Sequence, residues 1–226
     1  MTRFVVVTGT DTDVGKTYVA TALARSLART QRVVAIKPFE SGVAANEPGD
    51  AERLADATGQ TAPRHALRRF AAPLAPAMAA EREGVDIDFG AVLSEIRALA
   101  AGADVVIVEG AGGLLSPLTW TEDAITLARE LDADVVLVAS DRLGTLSVTH
   151  AAIEVLHARG RLPVAIVLSG PAVFDPSTYA NAAALRRRLA PFGDVAHRIV
   201  EIGRGADGAE ALASVIGWLS HTPRAR

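Results

Sequence analysis

Gly9-Thr10-Asp11-Thr12-Asp13-Val14-Gly15-Lys16-Thr17 decides how the rest of this chain is read. It follows Phe4-Val5-Val6-Val7, a β-branched run that predicts a buried strand. It leads into Tyr18-Val19-Ala20-Thr21-Ala22-Leu23-Ala24-Arg25-Ser26-Leu27-Ala28, whose alanines and leucines predict a helix. A strand, a glycine-containing loop and a helix opening on Gly-Lys-Thr together place backbone N–H groups where they can point at a polyphosphate. The unpaired N–H groups of the helix's first turn add to that anion site. In such a loop Lys16 reaches the terminal phosphates and the Thr17 hydroxyl ligates Mg²⁺. Five residues, Thr10 to Val14, separate the two glycines, one more than the general pattern has. The position at the first strand-to-helix turn favours nucleotide binding over a chance Gly-Lys-Thr.

Outward from this loop the chain alternates. Arg32-Val33-Val34-Ala35-Ile36-Lys37 is a second apolar run, stopped by Pro38, and with the intervening helix it predicts a βαβ unit with a right-handed crossover. Lys37 then stands beyond a strand's carboxyl end, where ligands collect in open α/β sheets. Asp50 either caps the helix Ala51–Ala57, with Gly59 just past its end, or ligates a metal. Residues 60–87, with Pro63, Pro73 and Pro76, exceed an ordinary connection and predict a substrate-covering segment or a short helix. Asp88 begins a helix running to about Ala101.

Asp104-Val105-Val106-Ile107-Val108-Glu109 is the clearest interior strand, followed by Gly110-Ala111-Gly112-Gly113. A carboxylate on a parallel strand's tip beside a glycine-rich turn is the Walker-B arrangement, and the turn lets N–H groups approach a phosphate. Helices over Glu122–Leu131, Thr145–Arg159, Pro176–Leu189 and Glu210–Leu219 alternate with strands over Asp134–Ala139, Pro163–Leu168 and, weakly, Ala196–Glu201. The alternation predicts an α/β fold: a mostly parallel sheet with helices on both faces, a three-layer P-loop NTPase. Arg186-Arg187-Arg188 reads as a solvated face, and the five histidines form no metal spacing.

The 226 residues, 50% hydrophobic and 22% charged, suit one domain over residues 1–226. A net charge of −3 gives no electrostatic case for nucleic acid or an anionic membrane. With no cysteine, thiolate nucleophiles and Cys-ligated zinc are excluded. No membrane span or leader is visible, so the expected location is cytoplasmic. Lys16, Thr17, Lys37, Glu109 and Asp50 around one polyphosphate suit Mg²⁺-assisted phosphoryl transfer. A second lysine beyond another strand tip implies an anionic acceptor brought close to ATP.

Three stretches resemble the signatures of the dethiobiotin synthetase family. They are Gly9–Thr17 with its five-residue spacing, Lys37-Pro38-Phe39-Glu40-Ser41-Gly42, and Val108-Glu109-Gly110-Ala111-Gly112-Gly113-Leu114. Their order and separation match, and the resemblance covers roughly residues 4–170. It implies an ATP- and Mg²⁺-dependent ligase acting on 7,8-diaminopelargonic acid and CO₂. Lys37 and Lys16 are the implied catalytic cations, and Thr17, Asp50 and Glu109 the implied Mg²⁺ ligands. Asp13, Val14, Gly15, Lys16, Thr17, Tyr18, Gly110, Ala111 and Gly112 are implied around the nucleotide. Thr12, Asp13 and Ser41 are implied near the diamine. The resemblance also implies a homodimer in which Gly144, Leu146 and Ser147 receive the substrate's distant carboxylate from the partner. The chain departs from the pattern at Ser169-Gly170-Pro171, where many relatives carry an Asn toward the base. Two other readings share the Gly-Lys-Thr loop. A partition-type switch ATPase carries a further lysine early in the loop, where Thr10 and Asp11 stand here. A cobyrinate-type synthetase domain normally accompanies a glutaminase with a nucleophilic cysteine, a residue this chain lacks.

Overall fold

The computed structural model describes residues 2–43, 48–171, 173–203, 208 and 210–221. Eight strands and eight α-helices are formed among them, in the order β1 Arg3–Gly9, α1 Lys16–Leu27, β2 Val33–Ile36, β3 Phe39–Ser41, α2 Asp50–Thr58, β4 Arg68–Phe70, α3 Pro76–Glu83 and α4 Phe89–Leu99. They continue with β5 Val105–Glu109, α5 Ala124–Glu130, β6 Asp134–Ser140, α6 Thr145–Ala158, β7 Ala165–Ser169, α7 Asn181–Arg188, β8 Ile199–Ile202 and α8 Ala213–His221. The main sheet has the order β2-β5-β1-β6-β7-β8, and every pairing in it is parallel.

Period-two alternation along the buried strands splits the core in two. Val106 and Val108 of β5 face a cluster containing Val92 and Ile96 of α4, Leu127 of α5, Ile153 of α6 and Leu185 of α7. Val105 and Ile107 face the other cluster, with Leu23 of α1, Leu54 of α2 and Val215 of α8. Helices therefore cover both faces, and the three-layer α/β architecture expected from the alternation is present.

The order of the strands positions the site. The chain leaves β1 through α1, yet β2 does not pair with β1. β5 enters between them, with Ile36 opposite Val108 and Val7 opposite Glu109. Three strand tips that are far apart in sequence thus end side by side. β1 sits at the switch point, since the chain passes to β2 on one side of it and from β5 to β6 on the other.

Local boundaries differ from the sequence reading where side chains intervene. Residues 60–87 hold both a strand, β4, and a short helix, α3, opened by Pro76 at its first position. β4 pairs with β3 in a small parallel sheet that three-residue, charge-rich runs did not reveal. The helix expected from Pro176 starts only at Asn181. Asp175 takes hydrogen bonds from Ser177 N and Oγ, Thr178 Oγ1 donates to Asp141 O, and Tyr179 has a positive φ of 67°. Those bonds hold a turn in place of a first helical turn. Asn46 and Glu47, before α2, and Arg204, after β8, lie outside the described residues.

Leu137 on β6 is fully buried between sheet and helices. Leu137→Ala should lower the unfolding free energy by about 2–5 kcal/mol in urea titration, through lost burial and an unfilled cavity.

Candidate active site

The loop between β1 and α1 is tied to the sheet by Thr10 N–H donating to Val138 O at 2.9 Å. The Val14 side chain, within the five-residue spacing, is buried and joins the core beside α1. Gly15 has φ 98° ahead of Lys16, and a Cβ there would lie 2.5 Å from Ser169 Oγ. Only glycine meets both conditions. Lys16 is nearly buried and folds back to donate from Nζ to Asp11 O at 2.9 Å.

Lys37, just past β2, is 5% exposed and Glu109, the last residue of β5, is 0% exposed. Lys37 Nζ donates to Glu109 Oε1 at 2.5 Å and to Asp50 Oδ2 at 3.0 Å, with Gly110 O a distant third acceptor at 3.4 Å. Thr17 Oγ1 donates to the same Glu109 Oε1 at 2.8 Å. Glu109 Oε2 is buried and accepts no hydrogen bond from the described residues. Asp50 is the first residue of α2, and the N-cap is Gly49. The choice left open for Asp50 therefore resolves away from capping, because its carboxylate faces Lys37.

Electrostatics follow from burial and proximity. Burial pushes the Lys16 ammonium down from its ordinary pKa, and the charge on Lys37 adds to that shift. For Lys37 burial acts in the same sense, but Glu109 and Asp50 outweigh it and hold the ammonium above its ordinary value. Burial pushes the Glu109 carboxyl up against the opposing pull of Lys37. Asp50, only half-buried, loses less to desolvation, and Lys37 holds it low.

These groups border one cavity of about 840 Å³, lined also by Thr12, Asp13, Gly15, Tyr18, Ser41, Ala111 and Gly112. Gly110 does not line it; its N–H donates to Val7 O at 2.9 Å and its carbonyl lies 3.4 Å from Lys37 Nζ. Gly144, Leu146 and Ser147 do not line this cavity. Leu146 and Ser147 border a separate cleft with His150, Glu154 and Arg188 on α6 and α7. Pro73–Pro76, within the segment read as substrate-covering or helical, also lines the cavity, whereas sequence reading left Glu40, Arg53 and Ser116 without a role. Glu40 stood inside a quoted motif and could have been noticed there. The others come from distant elements with no chemical signature.

A family model described as an AAA domain matches residues 3–199. The chain is 46% identical to the ATP-dependent dethiobiotin synthetase BioD of Anaeromyxobacter sp. (strain Fw109-5), over 87% of this chain and 93% of that protein. It is 49% identical to the protein of the same name from Anaeromyxobacter dehalogenans (strain 2CP-C), over 82% and 85%. The chain belongs to the ATP-dependent dethiobiotin synthetase family. Solved structures show how widely the family's fold is shared. The septum site-determining protein MinD of Pyrococcus horikoshii, complexed with Mg-ADP, aligns with TM-score 0.57 at 17% identity, covering 98% of both chains. A GTPase from Pyrococcus abyssi aligns with TM-score 0.62 at 14% identity, covering 98% of both chains. Among the described residues, no helix is long and apolar enough to cross a membrane.

The Lys16 shift has a measurable consequence. A bound polyphosphate favours the ammonium, so ATP binding in alkaline buffer should take up protons, increasingly as the pH rises toward the Lys16 pKa. Calorimetry in buffers of different ionisation enthalpy measures this uptake. Its absence in alkaline buffer would contradict the placement of Lys16 against the phosphates.

Proposed function

We propose that this chain catalyses the ATP-dependent carboxylation and ring closure of 7,8-diaminopelargonic acid to dethiobiotin. The observation that carries the reading is the Lys37 ammonium, held charged by Glu109 and Asp50 in the cavity that also contains Lys16. One amine of the substrate attacks CO₂, loses a proton and becomes a carbamate. A carbamate oxygen attacks the γ-phosphorus of ATP and ADP leaves. The second amine then attacks the carbamoyl carbon, phosphate leaves and the cyclic urea closes.

The residues suit these steps. An ammonium has three donors, and two of those on Lys37 are spent on Glu109 and Asp50. The third has only the distant Gly110 carbonyl, so an anionic carbamate or γ-phosphate oxygen is a better partner. Lys16 bridges the phosphates above the loop made by Asp13, Val14 and Gly15, beside Tyr18. Gly110, Ala111 and Gly112 border the nucleotide and carbamate region. Thr12, Asp13 and Ser41 lie toward the diamine. Ser41 Oγ is buried and takes no partner among the described residues, as a group awaiting a polar ligand would be.

Thr17, Asp50 and Glu109 offer hard oxygen donors, and the unfilled Glu109 Oε2 fits a cation such as Mg²⁺. Among the described residues no group of three or more His, Cys, Asp or Glu gathers to hold a metal. Held by Thr17, Asp50 and Glu109, Mg²⁺ would supply positive charge to offset that of the phosphates.

Diaminopelargonate-dependent phosphate release, with the product identified as dethiobiotin, tests the reading. Lys37→Ala should lower turnover by about 100-fold or more, as loss of one preorganised donor to developing charge does, with ATP affinity nearly unchanged. Full turnover in that variant, or phosphate release indifferent to the diamine, would remove the assignment.

A homodimer accords with the surface around α6. Leu143 is 75% exposed, and Leu146, Val148, Phe174 and Tyr179 are also exposed, the last two stacked on each other. Such an exposed apolar patch favours a partner, here a second copy receiving Gly144, Leu146 and Ser147 at its site. Leu146→Asp should shift the mass measured by analytical ultracentrifugation from dimer toward monomer. An unchanged dimer would place the interface elsewhere.

A further inference from the structure

Asp50 must stand where its carboxylate meets Lys37, and α2 does not hold that position by its own sequence. A helix start leaves backbone N–H groups unpaired, and an N-cap side chain normally accepts one of them. The N-cap of α2 is Gly49, which has no side chain. Glu52 accepts from Gly49 N at 2.8 Å, half of the usual reciprocal arrangement. The N–H of Asp50 is taken instead by Glu40 Oε1 at 2.5 Å, from outside the helix.

Glu40 belongs to β3 and is 3% exposed. Its charge faces Arg69, its register partner on β4, with Arg69 Nε 3.9 Å from Glu40 Oε2. Arg69 Nη1 also lies 3.7 Å from Glu52 Oε1, so the arginine faces both acids at the start of α2. Gly49 and Glu40 are mutually dependent. A Cβ at residue 49 would lie 2.3 Å from Glu40 Oε1 and 2.5 Å from Oε2. The glycine leaves room for a carboxylate that takes the first N–H of α2, that of Asp50, from outside the helix.

We propose that Glu40 is a positioning residue of the active site: it caps α2 from the neighbouring β3 strand and so holds Asp50 against Lys37. A negative charge at a helix N-terminus also suits the macrodipole, which strengthens the anchorage. Without Glu40 the first turn of α2 frays, Asp50 leaves Lys37, and the ammonium is held by Glu109 alone. The effect on chemistry rests on the ligase reading; the effect on α2 does not.

The test uses the full chain as wild type, Glu40→Ala, Glu40→Gln and Gly49→Ala. Hydrogen exchange over residues 49–53 reads the cap directly, and steady-state kinetics read its consequence. Glu40→Ala should speed exchange in that turn by about tenfold, the scale of a lost cap bond. It should lower kcat about tenfold or more, with the KM for ATP within about twofold, because the phosphate loop is untouched. Glu40→Gln keeps an oxygen acceptor for the Asp50 N–H and should stay within about threefold of wild type in both readouts.

Gly49→Ala, which evicts the carboxylate without removing it, should resemble Glu40→Ala, and the double variant should be no worse than Glu40→Ala alone. If Glu40→Ala does not fold, Gly49→Ala carries the same expectations. Unchanged exchange at α2, or faster exchange with unaltered kcat, overturns the proposal, as does a Glu40→Gln variant as impaired as Glu40→Ala. Absence of diamine-dependent turnover in wild type would instead sink the ligase reading, leaving the exchange data to decide the role of Glu40.

Discussion

The contact between the Lys37 ammonium and the Glu109 carboxylate, 2.5 Å apart beneath the cavity, is the interaction on which the site depends. Both groups are taken out of water, and each alone would be strongly disfavoured there. Asp50 and the Thr17 hydroxyl make the burial tolerable by filling further donors and acceptors. Removing one partner of such a pair leaves an uncompensated charge, at about 3–5 kcal/mol. The arrangement holds a cation charged in a nearly dry place, where it interacts with a developing anion more strongly than it would in water.

That contact exists because of strand order. β5 enters between β1 and β2, so Glu109 arrives between the phosphate loop and Lys37. Helices cover both faces of the sheet, and the cavity lies at its carboxyl edge. The small β3–β4 sheet then brings Glu40 under the start of α2, and α2 brings Asp50 to Lys37. Each step fixes the next through backbone pairing or a buried carboxylate, so the cations of the cavity stand on a rigid frame.

Much of this was legible in the order of residues. Period and composition located the strands of the main sheet because buried parallel strands are continuous apolar runs. The phosphate loop, Lys37 and Glu109 were legible because each stands at a strand tip beside a glycine or proline. What could not be read has a common cause. β3 and β4 are three residues long and carry charges, so no periodicity marks them. The delayed start of α7 depends on Asp175 and Asp141, whose turn bonds are visible only once the loops meet.

The sequence by itself determined the alternation of strand and helix, the phosphate loop, and the kinship with dethiobiotin synthetases, since these depend on local pattern and on residues close together in the chain. Only the tertiary structure decided that Asp50 faces Lys37 instead of capping its own helix, and that Glu40 does the capping. It also decided that the Val14 side chain packs into the core beside α1. In each case the deciding partner comes from a different element, and hydrogen bonding between elements leaves no periodic trace along a single chain.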